Sequence, residues 1–306
     1  QKQIKCIIFN KVNSLYGMVT MGWKNYLYLD LTARNDWNSM LPKENMSHFF
    51  PSASLGLILN DIFLLPETIS FAKLRSSVAS VGGAGGFGNR YKTDKYYVRS
   101  DFGGSAQAPT ALYNTDLKPE VTLSTEFGVD LRMFRNRLRF DAAVYQTNTK
   151  NQILSVPLPQ TSGYSSRLTN AGEVRTQGIE LLLDIKPIRN ENFEWQTTLN
   201  WSKNVSKVIS LHENSSEGRL ELMSSSGARL MAVEGGSTGA LYGRAFNRNE
   251  DGAIIYDRNG FPTLTEDVVY IGDTQPKWMA GMVNNFKYKN FKLGVVIDAK
   301  YGGTVY

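Results

Sequence analysis

The sequence runs to 306 residues, with 34 Lys and Arg against 28 Asp and Glu and a net charge of +6. The bases are spread along the chain without a basic stripe, which leaves no nucleic-acid partner to expect. A single cysteine, Cys6, excludes a disulfide framework and a cysteine metal site, and no apolar run approaches the roughly 18 residues of a membrane helix.

What recurs instead is strict alternation of apolar and polar residues, the mark of a two-faced strand. A strand is expected near 11–23 and another near 25–35, where Leu27, Leu29 and Leu31 oppose Tyr28, Asp30 and Thr32. After strands near 49–60 and 69–82, the stretch 121–134 places Leu123, Phe127 and Leu131 opposite Ser124, Glu126 and Asp130. In 137–150, Phe140 and Val144 oppose Arg139 and Asp141, and in 173–187, Leu181 and Leu183 oppose Glu180 and Asp184. In 192–206, Trp195, Leu199 and Trp201 oppose Glu194, Gln196 and Asn200. Strands near 276–288 and 291–300 follow, the last with Leu293 and Val295 opposite Lys292 and Asp298. Most of these runs exceed the ~5–6 residues of an ordinary strand and suit the ~9–11 of a tilted membrane-spanning one.

The connections alternate in length. Short ones fall at 24–25, 60–67, 135–137, 188–192 and 288–290, and long ones at 36–48, 83–120, 151–172 and 207–275. Tight turns at one end and large loops at the other are the asymmetry of a transmembrane barrel, with short periplasmic turns and long extracellular loops. Trp23, Tyr26, Phe134, Phe193, Trp195, Tyr288 and Phe291 lie beside the short turns, where amphipathic rings suit the lipid headgroup level. The fold class expected is all-β, a transmembrane antiparallel β-barrel whose apolar faces meet outer-membrane lipid.

No catalytic constellation is present: there is no Gly-x-Ser-x-Gly, no His-Glu-x-x-His and no phosphate loop, so no enzyme is expected. The glycine-rich VGGAGGFGNR (81–90) lacks the helical pattern that a dinucleotide site needs after it. His48 and His212 read as separate loop residues. In 247–262, Asp251-Gly252 and Asn259-Gly260 are turn dipeptides that suggest a small hairpin; calcium is a minor option there, and otherwise no metal or cofactor is expected. Arg34, Asp36 and Trp37, at the outer end of a strand, combine a stacking ring with hydrogen-bonding groups, as does Tyr113 or Tyr164 in another long loop. These five are the candidate contacts for a substrate or a covering partner. The opening QKQIKCIIFN has neither a starting Met nor a signal-peptide pattern, and the close at KYGGTVY falls in or just after a strand, so both ends read as cut.

Several stretches together resemble the barrel of SusC/RagA-type TonB-dependent outer-membrane transporters: LYLDLTARNDWNSMLPKENMSHFFPSASLGLIL (27–59), ISFAKLRSSVASVG (69–82), LKPEVTLSTEFGVDLRMFRNRLRFDAAVYQTNTKNQIL (117–154), TNAGEVRTQGIELLLDIKPIRNENFEWQTTLNWSKN (169–204) and IGDTQPKWMAGMVNNFKYKNFKL (271–293). The resemblance implies a 22-stranded barrel with an N-terminal plug, of which residues 1–306 would supply about ten strands of an incomplete barrel domain. It also implies import of an oligosaccharide or peptide, a SusD-like lipoprotein lid, and energy from the TonB complex acting through the plug. Siderophore uptake is the alternative within that class. A surface-exposed glycan-binding or adhesin domain without transport is the alternative outside it, and would pack its apolar faces against each other.

Overall fold

The computed structural model describes residues 11–83, 97–98, 106–107, 110–112, 114–211, 218–225 and 227–305. Among these, regular structure is β-strand with three short 3-10 turns, at Lys43–Asn45, Leu59–Asp61 and Gln160–Ser162. The strands in chain order are β1 (Val12–Trp23), β2 (Leu27–Asn38), β3 (Ser47–Ile58), β4 (Ile69–Gly83), β5 (Tyr97–Val98), β6 (Ala106–Gln107), β7 (Ala111–Leu112), β8 (Glu120–Met133), β9 (Leu138–Lys150) and β10 (Ile153–Pro157). They continue with β11 (Ser166–Asn170), β12 (Glu173–Arg189), β13 (Phe193–Ser210), β14 (Arg219–Ser225), β15 (Ala228–Val233), β16 (Ala240–Gly243), β17 (Val269–Asp273), β18 (Pro276–Tyr288) and β19 (Phe291–Gly302).

Ten long strands form one antiparallel sheet in the order β1-β2-β3-β4-β8-β9-β12-β13-β18-β19. Each strand joins its sequence neighbour among the long ones, and the short strands between them belong to excursions at the long-loop end. Two tight turns show why this pairing is local. Lys24 and Asn25 lie at positive φ between Trp23 and Tyr26, which close the turn by a backbone bond of 3.2 Å. Arg135 and Asn136 do the same between Phe134 and Arg137. Positive φ at both central residues matches the right-handed strand twist, so the chain returns in register.

The chain divides into two compact units. In the first (Gln1–Leu64, Lys73–Phe127, Gln146–Glu173), β1 pairs with β2 from Val12↔Asn38 to Trp23↔Leu27, and β2 with β3 from Leu27↔Leu57 to Trp37↔Ser47. Its densest core lies in the excursions: Leu41, Leu117, Ile153 and Leu168 are buried together, with Met40 and Met46 packed against them. β10, β11 and β7 form a three-stranded sheet in this unit. In the second unit (Leu65–Ala72, Gly128–Tyr145, Val174–Tyr306), β13 pairs with β18 and β18 with β19, while β14-β15-β16-β17 form a separate four-stranded sheet.

The structure corrects several expectations. The long connections 151–172 and 207–275 contain strands, because runs of four to seven residues can pair on one another once a hairpin brings them together. β2 extends to Asn38, so Asp36 and Trp37 belong to a strand rather than a loop. His48 is likewise in a strand, its ring 5.0 Å from that of Phe50. Segment 247–262 folds as two successive turns, closed by Gly252 N–H to Asn249 O and Gly260 N–H to Asp257 O, rather than as one hairpin. Cys6, His212 and most of the glycine-rich stretch lie outside the described residues.

Candidate functional site

On β8 burial distinguishes the two faces, and it runs opposite to a water-soluble protein. On β8, Phe127 is 51% exposed while Asp130 on the other face is 8% exposed. Leu123, Val144, Leu199, Leu293 and Val295 are also exposed; Leu131, Phe140, Leu181, Leu183, Trp195 and Trp201 are half-buried by neighbours on the same face. A large apolar face left open is what hydrocarbon outside the wall would select.

The polar face is held by side-chain pairs between adjacent strands. In the first unit, Asp30 accepts from Thr20 Oγ1 at 2.7 Å and from Ser54 Oγ at 3.4 Å, the Thr32 and Ser52 hydroxyls meet at 2.5 Å, and Arg75 Nε reaches Glu126 at 3.4 Å. Tyr28, Asp30, Ser54, Lys73, Arg75 and Glu126 surround a cavity of 270 Å³ on this face. In the second unit, Asp130 accepts from Arg132 and Arg139, both at 3.3 Å, and Arg139 also reaches Asp141 at 3.5 Å. Arg132 lies 4.8 Å above the Phe71 ring. Asp184 accepts from Gln196 through both oxygens, at 3.1 and 3.0 Å. Two glycines make room for larger neighbours: a Cβ on Gly178 would fall 2.3 Å from the Tyr145 ring, and one on Gly281 would fall 2.7 Å from Asn200 and 3.1 Å from Asp298. Among the described residues the wall therefore offers many weak polar contacts and no aligned nucleophile and base.

The five candidate contact residues do not form one group. Arg34 and Asp36 are joined at 2.6 Å on the polar face, with Arg34 Nη2 also 3.0 Å from Ser14. Trp37 points to the opposite face, because successive residues of β2 alternate. Tyr164 sits in the turn between β10 and β11, its N–H bonded to Ser162 Oγ at 3.3 Å. Tyr113 lies outside the described residues. In 247–262, Asp257 Oδ1 accepts the N–H groups of Asn259 and Phe261, which commits that oxygen to its own turn.

Sequence reading missed a polar pair within the apolar face. Thr197 and Asn284 are directly opposite each other and 8% and 7% exposed. Trp195 covers them, donating Nε1–H to Asn284 Oδ1 at 3.1 Å while its ring stacks on Phe286 at 5.7 Å. Replacing Trp195 with Phe keeps the stack and leaves the buried amide without that donor, which should cost about 1–3 kcal/mol. Adding Asn284→Leu should recover most of the loss. Denaturant titration of the full-length protein refolded into lipid vesicles measures both.

The aromatic residues of the apolar face sit near both strand ends. Phe291 and Tyr301 share that face of β19, and Tyr301 stacks on Trp278 at 5.5 Å. Their ten-residue separation spans about 33 Å along the strand, which a tilt of ~40° reduces to the ~25 Å height of an outer-membrane apolar band.

Compared with known proteins, residues 8–306 match the family profile described as TonB dependent receptor-like, beta-barrel. Similar sequences include TonB-dependent receptor P39 of Formosa agariphila, 30% identical over 96% of this chain and 33% of its own length. TonB-dependent receptor SusC of Bacteroides thetaiotaomicron is 24% identical over 97% of this chain and 32% of its own. The chain thus spans about a third of the length of the curated relatives it matches. Among solved structures, the RagAB peptide importer in its closed-closed state superposes with a TM-score of 0.80 at 18% identity, covering 95% of this chain and 33% of that one. The outer membrane transporter YddB of Escherichia coli gives 0.58 at 14% identity, covering 95% and 33%.

Proposed function

The chain belongs to the TonB dependent receptor-like β-barrel family of the outer membrane, and on that premise we propose that it forms part of the barrel wall of an active importer for an oligosaccharide or peptide. The observation that carries this reading is the open apolar face: exposed residues such as Leu123, Phe127 and Val144, with an ion-paired polar cluster centred on Asp130 on the other side. A surface binder without transport would bury its apolar faces against each other, and the exposure of Leu123, Phe127, Val144 and Leu293 weighs against that. RagAB, a peptide importer, supports the peptide arm of this reading; the oligosaccharide arm and a SusD-like surface lipoprotein over the long-loop end rest on the resemblance to SusC/RagA-type transporters. In this reading Arg34, Asp36 and the ring of Tyr164 contact substrate or lid. Directionality comes from the TonB complex acting on a plug carried elsewhere in the protein, and no covalent step is needed.

The test is deletion of the full-length gene followed by growth with one supplied nutrient at a time: defined oligosaccharides, defined peptides, or a ferric siderophore under iron limitation. Growth lost on one saccharide or peptide set and restored by the intact gene supports the proposal and names the substrate. Loss only in the siderophore arm would move the protein to iron uptake. Normal growth in every arm, with the protein present at the cell surface, would favour the non-transporting binder.

A further inference from the structure

The charge of the second unit is concentrated at its short-turn end. Its four short-turn segments, 65–71, 134–138, 186–194 and 287–292, hold seven bases and three acids (Glu67, Glu191, Glu194), a net +4 of the whole chain's +6. These segments are bonded side by side: Phe134 N–H to Thr68 O at 2.8 Å, Lys186 N–H to Arg137 O at 2.8 Å, and Lys289 N–H to Asn192 O at 2.9 Å. The surplus bases therefore fall in two groups on nearby turns, Arg135 with Arg137 and Lys289 with its neighbours Lys287 and Lys292, on either side of segment 186–194, where two bases and two acids balance.

Their pairing differs from that of the wall above them. Arg132 and Arg139 are neutralised by Asp130 and Asp141. Arg135, Arg137 and Lys289 are exposed, and among the described residues none of them pairs with a carboxylate. Lys289 lies 5.6 Å over the Tyr288 ring. Next to these cations the apolar rings Phe134, Tyr288 and Phe291 are 54%, 53% and 77% exposed.

We propose that these two exposed turns are a docking surface for anionic phospholipid headgroups, with Arg135, Arg137 and Lys289 binding phosphate while Phe134, Tyr288 and Phe291 lie at the glycerol level. The proposal rests on the outer-membrane reading of the wall. Charge complementarity selects the lipid: surplus, unpaired cations beside exposed rings match a phosphate above acyl chains. A zwitterionic headgroup would bring its own cation to a surface that already has too many. The short turns of such a barrel face the periplasmic leaflet, so the bound lipid is one of that leaflet.

The full-length protein is reconstituted in bilayers containing brominated phosphatidylglycerol or brominated phosphatidylcholine, and quenching of its tryptophans gives the relative affinity for the two. Phosphatidylglycerol should be preferred. Arg135→Gln, Arg137→Gln and Lys289→Gln combined should remove most of that preference, at about fivefold per charge in local affinity. The charge-keeping combination Arg135→Lys, Arg137→Lys and Lys289→Arg should retain it, which separates lost charge from a damaged turn. High salt should weaken it. Equal affinity for both lipids in the unaltered protein, or an unchanged preference in the glutamine variant, overturns the proposal. Displacement of the lipid by millimolar inorganic phosphate would make this a free-phosphate site and overturns it too. No lipid preference, together with a barrel destabilised by the glutamine variant, would place a protein carboxylate on these turns instead. Failure of the protein to enter bilayers at all would sink the outer-membrane reading, a separate outcome.

Discussion

Leu199→Lys should destabilise the folded protein by about 2–4 kcal/mol in lipid vesicles, and Asn200→Lys, one residue further along β13, should cost far less. The two positions have the same strand, similar depth and the same new side chain, and differ only in face. Leu199 is opposite Met282 on the apolar face, where an ammonium would have to leave water or drag water with it. Asn200 flanks Gly281, across which lies Asp298, so a lysine there finds an opposite charge within reach. Denaturant titration of the full-length protein refolded into vesicles measures both. Equal losses would reject the assignment of faces, and with it the outward orientation of Phe127, Val144, Leu293 and the other residues expected at lipid.

Removing the carboxylate at the centre of the second unit's polar face should be the other costly change. Asp130→Ala leaves Arg132 and Arg139 facing each other with Asp141 as their remaining partner. Breaking a fully buried pair costs ~3–5 kcal/mol; here the arginines are 42% and 46% exposed, so about 1–3 kcal/mol is expected. The loss should grow at low ionic strength, where the arginines repel each other without screening. Adding Arg139→Leu to Asp130→Ala should return part of the stability, because the exposed repulsion is then gone. A double variant no better than the single would mean that Asp130 acts through packing rather than charge.

The long strands were legible because alternation repeats over a dozen or more residues and each repeat adds to the signal. The same rule, carried three residues further, would have separated Arg34 and Asp36 from Trp37. That grouping failed because adjacency in sequence was read as adjacency in space, whereas β2 continues to Asn38 and turns neighbours to opposite faces. The strands β14 to β17 were not legible, since runs of four to seven residues carry too little pattern to stand out from a polar loop. The Trp195–Asn284 bond was hidden for another reason. Its partners are 89 residues apart, and Asn284 beside Asn285 reads as a local polar patch. Pairwise satisfaction of a buried amide is a property of the folded sheet, not of either segment. The basic turns were visible as residues, but their nearness appears only when backbone bonds join Phe134 to Thr68, Lys186 to Arg137 and Lys289 to Asn192.

The excursions have a consequence for how such a protein can diversify. Leu41, Leu117, Ile153 and Leu168 give the first unit's excursions a small core of their own, and β14 to β17 give the second unit's a sheet of their own. The hydrogen-bond ladders β1–β2–β3 and β13–β18–β19 do not depend on those residues. Doubling the length of a connecting loop costs only about 0.6 kcal/mol in closure entropy. Lineages of this architecture could therefore exchange or enlarge whole excursions, and with them whatever they recognise, while inheriting the membrane-spanning ladder almost unaltered.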